Sequence, residues 1–520
     1  MKKILVVSCL TSLTFAASAK VELATPFNDG MVLQRGCEVP VWGKAEPGSK
    51  VTVSFADNKV STVACAGGCW KVMLPAMEAS KESRTLTVVE GAAGWLWDSE
   101  TDRVEITDVL VGEVWMCAGQ SNTDCPIWGG SPRYRDGWGA QTLSMTDKPF
   151  VRLVKTPHKG ATAPKRDYRA TWMKMTPAML CAFKKGARMP SAMGYYYALE
   201  LANALDIPIG LVDSSVGGTN IDAWTPPSGY ERHPELADVA ALPTLDEKAF
   251  AAARKDGAYS PKKKNMGVYS GWIQQPSALW NGMVAAYAPM ACRGFIWYQG
   301  CHNAGEYPRY CSKMHALYDG WSKEFKNPNM KLYFVQLAPW GNAGIADIQM
   351  AQAKFAAEEP NAAMAVINDV GNLKDIHPND KRTVARRLAL HALKRDYGFS
   401  RICDDSPTLR SWKVENGAFV LTFNDAESFY IYNPDRSMDT GFEVAGADDV
   451  WKKAKVANVR VTTHYRTKKP VTNGEILEPR LVVSSDEVKQ PTQLRYLRSA
   501  PWFGSLYSDR CLPVGAFEIK

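Results

Sequence analysis

The chain has 520 residues, 46% of them hydrophobic and 22% charged, and a formal net charge of +8. That length is too great for one hydrophobic core and implies two or three domains, and the composition excludes a disordered or fibrous chain. The charge excess is mild, and its one obvious basic run, Lys262 to Lys264, follows a Gly/Ser/Pro-containing stretch, which argues for a solvated loop and against a nucleic-acid surface.

Residues 1–19 have the pattern of a cleaved secretory signal: Lys2 and Lys3, an apolar run from Ile4 to Ala17, then Ala17-Ser18-Ala19. The run is too short to span a bilayer and no later stretch is apolar enough, so an exported protein, periplasmic or secreted, with no membrane span is expected. Loss of the leader lowers the charge to +6 and leaves eleven cysteines without metal-ligand spacing. Cys65 and Cys69 are close enough in sequence to pair in an oxidising compartment. The 17 tryptophans are expected mainly in cores.

Residues 20–108 read as a small β domain, with short β-prone runs at Val39–Trp42, Lys50–Phe55, Trp70–Leu74 and Leu86–Val89 separated by turn residues. Over 109–402 strand and helix patterns alternate, which predicts an α/β domain with a mostly parallel sheet covered on both faces. Its strand candidates are Val114–Cys117, Val151–Val154, Ile209–Val212, Gly294–Tyr298, Leu332–Leu337 and Met364–Ile367, and its helix candidates include Ala192–Leu205 and Thr383–Tyr397. Two irregular insertions, 123–190 and 226–275, are placed to shape a pocket. Residues 403–520 return to β patterning at Phe419–Phe423, Val456–Thr462, Arg480–Val483 and Gln493–Leu497, a second supporting β domain.

Four strand ends carry polar residues: Gly119-Gln120-Ser121-Asn122, Asp213 to Asn220 with Gly217-Gly218, Gln299-Gly300-Cys301-His302-Asn303, and Asn368-Asp369 running on to Asp375-Ile376-His377-Pro378. Ligands bind at the carboxyl edge of open α/β sheets, so these ends are expected to converge. Acyl transfer by serine needs a nucleophile, a base, a group that orients the base and donors aimed at the oxyanion. Ser121, His377 and Asp375 can fill the first three roles. The backbone amides of Ser121 and Gly218 and the side-chain amides of Asn303 or Gln299 can fill the fourth. This chemistry calls for no metal and no cofactor. Each residue has an ordinary alternative as turn, cap or filler, and the complementary roles at four ends of one sheet favour catalysis. Cys301 is a rival nucleophile, but the adjacent His302 points to the opposite face of an extended chain and is badly placed to activate it.

Taken in order, Met31-Val32-Leu33-Gln34-Arg35, Val41-Trp42-Gly43, Gly112-Glu113-Val114-Trp115, Gly119-Gln120-Ser121-Asn122, Gly217-Gly218-Thr219 with Ala223-Trp224-Thr225-Pro226, Trp297-Tyr298-Gln299-Gly300, Asp375-Ile376-His377-Pro378 and Arg387-Leu388-Ala389-Leu390 resemble the sialate O-acetylesterases, a family with an SGNH-hydrolase type of catalytic domain. The resemblance implies a flavodoxin-like parallel sheet flanked by β-sandwich-type domains, and a carbohydrate esterase acting on O-acetylated sialic acids or sialoglycans through Ser121 and His377. This chain departs from the family at Thr123, where methionine is usual, and at Cys301-His302, where Glu-Ser is usual. Lys374 stands where many SGNH enzymes carry the aspartate, so Asp375, Asp369 or a backbone carbonyl would orient the base. Arg133, Arg135 and Arg188 are available to hold a substrate carboxylate. Two other readings keep part of this picture: an esterase on xylan or another acetylated glycan, and a glycan-binding protein on an esterase scaffold.

Overall fold

The computed structural model describes residues 20–93, 100–127, 136–137, 147–166, 168–169, 171–182, 189–255, 271–341, 343–432, 440–457, 460–462, 480–498 and 504–520. The leader at 1–19, Lys262 to Lys264, and Arg133, Arg135 and Arg188 lie outside these residues.

Six strands form the central parallel sheet: β1 (Glu100–Gly119), β2 (Val151–Lys155), β3 (Ile209–Ser215), β4 (Gly294–Tyr298), β5 (Lys331–Val335) and β6 (Ala362–Ala365). They lie in the order β2-β3-β1-β4-β5-β6, with Trp172–Lys174 antiparallel on the outer edge of β2. Nearly every residue of β2 to β5 is buried, as expected of strands covered on both faces. Without the edge strand β2 the order is 2-1-3-4-5, so the connection direction reverses between β1 and β4. A crevice opens at the carboxyl ends of such a pair.

The covering helices include α2 (Ala192–Leu205), α3 (Tyr307–Glu324), α4 (Ala343–Glu358) and α5 (Lys381–Arg395). The structure reproduces the expected bounds of α2 and starts α5 two residues early. Ser191 caps α2 by accepting from the Gly194 N–H, and Asp380 caps α5 by accepting from Thr383. Helices α3 and α4, which had no counterpart among the expected helices, pack against each other.

β1 is the spine of the molecule. Its first half pairs with Ser80–Ala93, and its second half, after Asp108 at φ 57°, pairs with Val32–Gln34, β3 and β4. The expected boundary at 108/109 therefore falls inside one continuous strand. The amino-terminal strands also share one hydrophobic core with the central sheet, whereas the strands of 408–519 enclose a separate core around Phe419, Leu421, Phe442, Val444 and Leu494. Trp115, Trp224, Trp297 and Trp321 are fully buried, in line with the core reading of the tryptophans. Cys65 and Cys69 are both free and exposed. Among the described residues no helix is long and apolar enough to cross a membrane.

Candidate active site

Register brings the strand ends together. Gly119 at the end of β1 lies opposite Ser215 of β3 on one side and Tyr298 of β4 on the other. Gly119 has φ +141°, and a Cβ there would stand 2.4 Å from the Tyr298 carbonyl oxygen, so only glycine lets the chain turn this close to β4. The single helical turn α1 (Ser121–Asp124) follows at once. Thr123 is fully buried and its hydroxyl donates to the carbonyls of Tyr298 at 3.0 Å and Ala118 at 3.3 Å. The departure at this position thus ties the turn to β4 by hydrogen bonds.

Ser121 Oγ lies 3.0 Å from His377 Nε2, and His377 Nδ1 lies 3.2 Å from Asp375 Oδ1. The same carboxylate oxygen accepts the backbone N–H of His377 at 3.0 Å, which fixes the loop that carries the imidazole. Both side chains are about three-quarters buried. Asp369 is unavailable as an alternative orienter, because both of its oxygens bind the Arg387 guanidinium at 2.6 Å and Tyr507 adds a third bond.

The serine, the histidine and Gly217-Gly218 open onto a cavity of about 800 Å³, also lined by Gln120, Asp124, His158, Cys301, His302, Trp340 and Ile376. Gly218 has φ +70°, and its carbonyl accepts from Gln274 Nε2 at 2.5 Å. A Cβ at Gly218 would meet nothing within 4 Å, whereas one at Gly217 would come 3.5 Å from the Ser121 Cβ. Asp124 is held by Lys155, which also binds Asp213 and Ser215 on β3. Burial works against the Lys155 charge, but Asp213 and Asp124 outweigh it and leave its pKa raised.

Two expected oxyanion donors are placed differently. Asn303 and Gln299 are fully buried beneath the cavity. Gln299 Nε2 donates to Thr219 O and to Asn303 Oδ1, and Asn303 Nδ2 donates to Glu306 Oε2. Their amides brace the β3 and β4 loops against each other, and Lys313 completes the brace by binding Asp222 at 2.7 Å and Glu306 at 2.8 Å. The side-chain amide that does reach the cavity is Gln120. Its oxygen accepts from the backbone N–H groups of Gly300 at 3.1 Å and His302 at 3.4 Å, which leaves the nitrogen as the end turned toward the cavity it lines. A glutamine directly before a candidate nucleophile was the available signal for this role.

Lys381, the first residue of α5, is also absent from the sequence expectations. Its ammonium is fully buried and donates to Asn122 Oδ1 and Pro378 O, both at 2.6 Å, while Asn122 Nδ2 donates to Ile376 O at 3.0 Å. These bonds join the residue after Ser121 to the residues on either side of His377. Burial, then the Lys381 charge, lower the His377 pKa against the opposing pull of Asp375. Burial pushes the Cys301 thiol up to about 12, which removes the thiolate a nucleophile would need near neutral pH.

A 2-1-3-4-5 parallel sheet with a Ser–His–Asp row at its carboxyl edge defines the class, a carbohydrate esterase on an SGNH-like α/β fold. Residues 263–394, which contain β4, Asn303 and His377, match the family described as carbohydrate esterase, sialic acid-specific acetylesterase. The chain is 26% identical to a mouse sialate O-acetylesterase, with 79% of this chain and 80% of that protein covered, and 27% identical to the human one, with 75% and 74% covered. The crystal structure of a carbohydrate acetylesterase from Xanthomonas citri superposes with a TM-score of 0.75 at 27% identity, covering 96% of this chain and 99% of that one. Over most of its length the chain is thus similar to the sialate O-acetylesterases.

Proposed function

We infer that this chain is an exported serine esterase that removes O-acetyl groups from sialic acids or sialoglycans. The 3.0 Å contact between Ser121 Oγ and His377 Nε2 at the cavity mouth carries the reading, and the similarity to sialate O-acetylesterases supplies the substrate class. Ser121 attacks the acetyl carbonyl while its proton passes to His377 Nε2, and Asp375 holds the imidazole and stabilises its charged form. The backbone N–H groups of Ser121 and Gly218 and the Gln120 amide bind the oxyanion. Collapse of the tetrahedral intermediate gives the proton to the departing sugar oxygen and leaves acetyl on Ser121. Water, deprotonated by His377, then releases acetate. The flanking β regions at 20–108 and 403–520 act as sandwich-type supports, and Arg133, Arg135 and Arg188 are available to hold the sugar carboxylate.

The test is acetate release from O-acetylated sialic acid by the mature protein, beside Ser121→Ala and His377→Ala. Both substitutions should reduce kcat by at least about 10⁴-fold with the fold intact. Full activity in Ser121→Ala would exclude the mechanism. A faster rate on acetylated xylan than on acetylated sialic acid would keep the mechanism and replace the substrate.

A further inference from the structure

Away from the Ser121 cavity, three side chains of metal-binding type meet where α3 packs on α4. Cys311 and His315 are one helical turn apart on α3, so they share a face, and Glu358 is the last residue of α4. Glu358 Oε2 receives both neighbours: Cys311 Sγ lies 3.3 Å from it and His315 Nε2 lies 3.1 Å from it, and all three ligand atoms lie within 4.8 Å of one another. We propose that Cys311, His315 and Glu358 form a zinc site that pins α3 to α4.

The distances fit this ion. Zinc–sulfur, zinc–nitrogen and zinc–oxygen bonds of about 2.3, 2.0 and 2.0 Å set ligand–ligand separations of about 3.3–3.6 Å at tetrahedral angles. The two contacts with Glu358 Oε2 need to open by only a few tenths of an ångström, and Cys311 Sγ and His315 Nε2, within 4.8 Å of each other, need to stand at about 3.5 Å. One carboxylate oxygen facing a thiol and an imidazole nitrogen is the arrangement a metal ion takes over when it displaces the two protons between them. Binding sends the Cys311 proton to solvent and moves the His315 proton from Nε2 to Nδ1 by exchange with solvent, so that the neutral imidazole binds through Nε2. Thiolate and imidazole together favour zinc over magnesium or calcium, and water takes the fourth position.

The surroundings hold the ligands without occupying them. Phe355 of α4 meets the His315 ring edge-to-face at 4.7 Å, and the His233 ring lies parallel to it at 6.3 Å. His233 itself is turned to Glu235 and Asp319. Lys354 approaches the other carboxylate oxygen, Oε1, at 3.8 Å, and leaves Oε2 to the cluster. The second group of this composition, His391 with Asp404 and Asp405, differs in the decisive respect: Lys394 and Arg395 already bind Asp404 and supply its cation.

The experiment uses the full mature protein, stripped with a chelator, reloaded with zinc sulfate and desalted. One zinc per chain is expected by elemental analysis, with a melting temperature that rises with zinc concentration. Cys311→Ser and His315→Ala should each weaken binding at least about tenfold, since losing a ligand costs no less than losing its supporting partner. Replacing zinc by Co²⁺ should produce a thiolate-to-cobalt charge-transfer band in the wild type and none in Cys311→Ser. If the variants fail to fold, a zinc-soaked crystal of the wild type decides through an anomalous peak at bonding distance from Cys311 Sγ. No zinc retained by the wild type, equal retention by Cys311→Ser, or an anomalous peak elsewhere overturns the proposal.

Discussion

Replacing Lys381 by methionine separates the chemistry of the site from its support. The substitution keeps most of the side-chain volume and removes an ammonium that makes two 2.6 Å bonds, to Asn122 Oδ1 and Pro378 O. Two charge-assisted bonds contribute about 1.5–3 kcal/mol each, so about 3–6 kcal/mol is lost. Against this, among the described residues no carboxylate oxygen lies at ion-pairing distance from this buried ammonium, and burial lowers its pKa. Relief of that desolvation returns several kcal/mol. The two terms nearly cancel, and the melting midpoint should move by the equivalent of less than about 2 kcal/mol. Activity should not be spared. With the tether gone the 376–378 loop is free to shift, and a displacement of about 1 Å reduces kcat/KM by about 100-fold. The pH profile carries a second signature. With neutral His377 as the proposed base, kcat/KM should rise as pH passes its pKa, and in the native protein that limb should lie below the ordinary imidazole value of about 6.5. Loss of the Lys381 charge raises the His377 pKa and moves the limb to higher pH. Acetate release measured from pH 4 to 9, beside thermal unfolding, tests both. A variant with native kcat/KM and an unmoved acid limb would refute the clamp.

Gln120→Leu should reduce kcat by about 10²- to 10³-fold with little change in KM, the usual cost of one oxyanion donor, and native kcat would show that the Gln120 nitrogen does not meet the oxyanion. Cys301→Ala should hydrolyse acetyl esters at close to the native rate, because burial holds the thiol at about 12, and in the native protein mass spectrometry after iodoacetamide at neutral pH should find Cys301 unmodified. Rapid alkylation there, or loss of acetate release in the variant, would return Cys301 to the list of nucleophiles.

The residues that meet at the cavity were legible because their signals are local. Apolar runs end in Gly-x-Ser or Asp-x-His within a few residues, and a parallel sheet delivers all such ends to one edge. Helix α2 was legible from its run of Ala, Leu and Tyr, and the structure ends it with a capping Ser191 on one side and a left-handed Asp206 on the other. What stayed hidden depends on tertiary partners. An amide such as Asn303 looks the same in sequence whether it faces a substrate or, as here, bonds Ile221, Gln299 and Glu306 inside the fold. Helix α3 buries Lys313 among its apolar residues, which breaks the amphipathic pattern that would have announced it. The 108/109 boundary followed a change from short β runs to alternating strand and helix patterns, but Asp108 at φ 57° turns the strand without ending it, and Arg152 binds its carboxylate at the bend.

Two of the buried lysines near the site, Lys313 and Lys381, show why it needs two kinds of support. Lys313 sits between two carboxylates, so its charge is matched and its work is mechanical: with Gln299 and Asn303 it locks the β3 and β4 loops together. Removing one member of such a group would strand the others, which suits a scaffold that must not move. Lys381 instead binds one side-chain carbonyl and one backbone carbonyl, and among the described residues no carboxylate oxygen lies at ion-pairing distance from its charge beside the histidine. An arrangement of this kind costs stability but places a fixed positive charge next to the base. That charge opposes protonation of His377 before Ser121 has given up its proton, and Asp375 pulls the other way with a hydrogen bond that strengthens as the imidazolium forms. In the proposed mechanism the base is thus kept neutral at rest by one neighbour and stabilised when charged by the other, the balance a serine nucleophile with a pKa far above its partner requires.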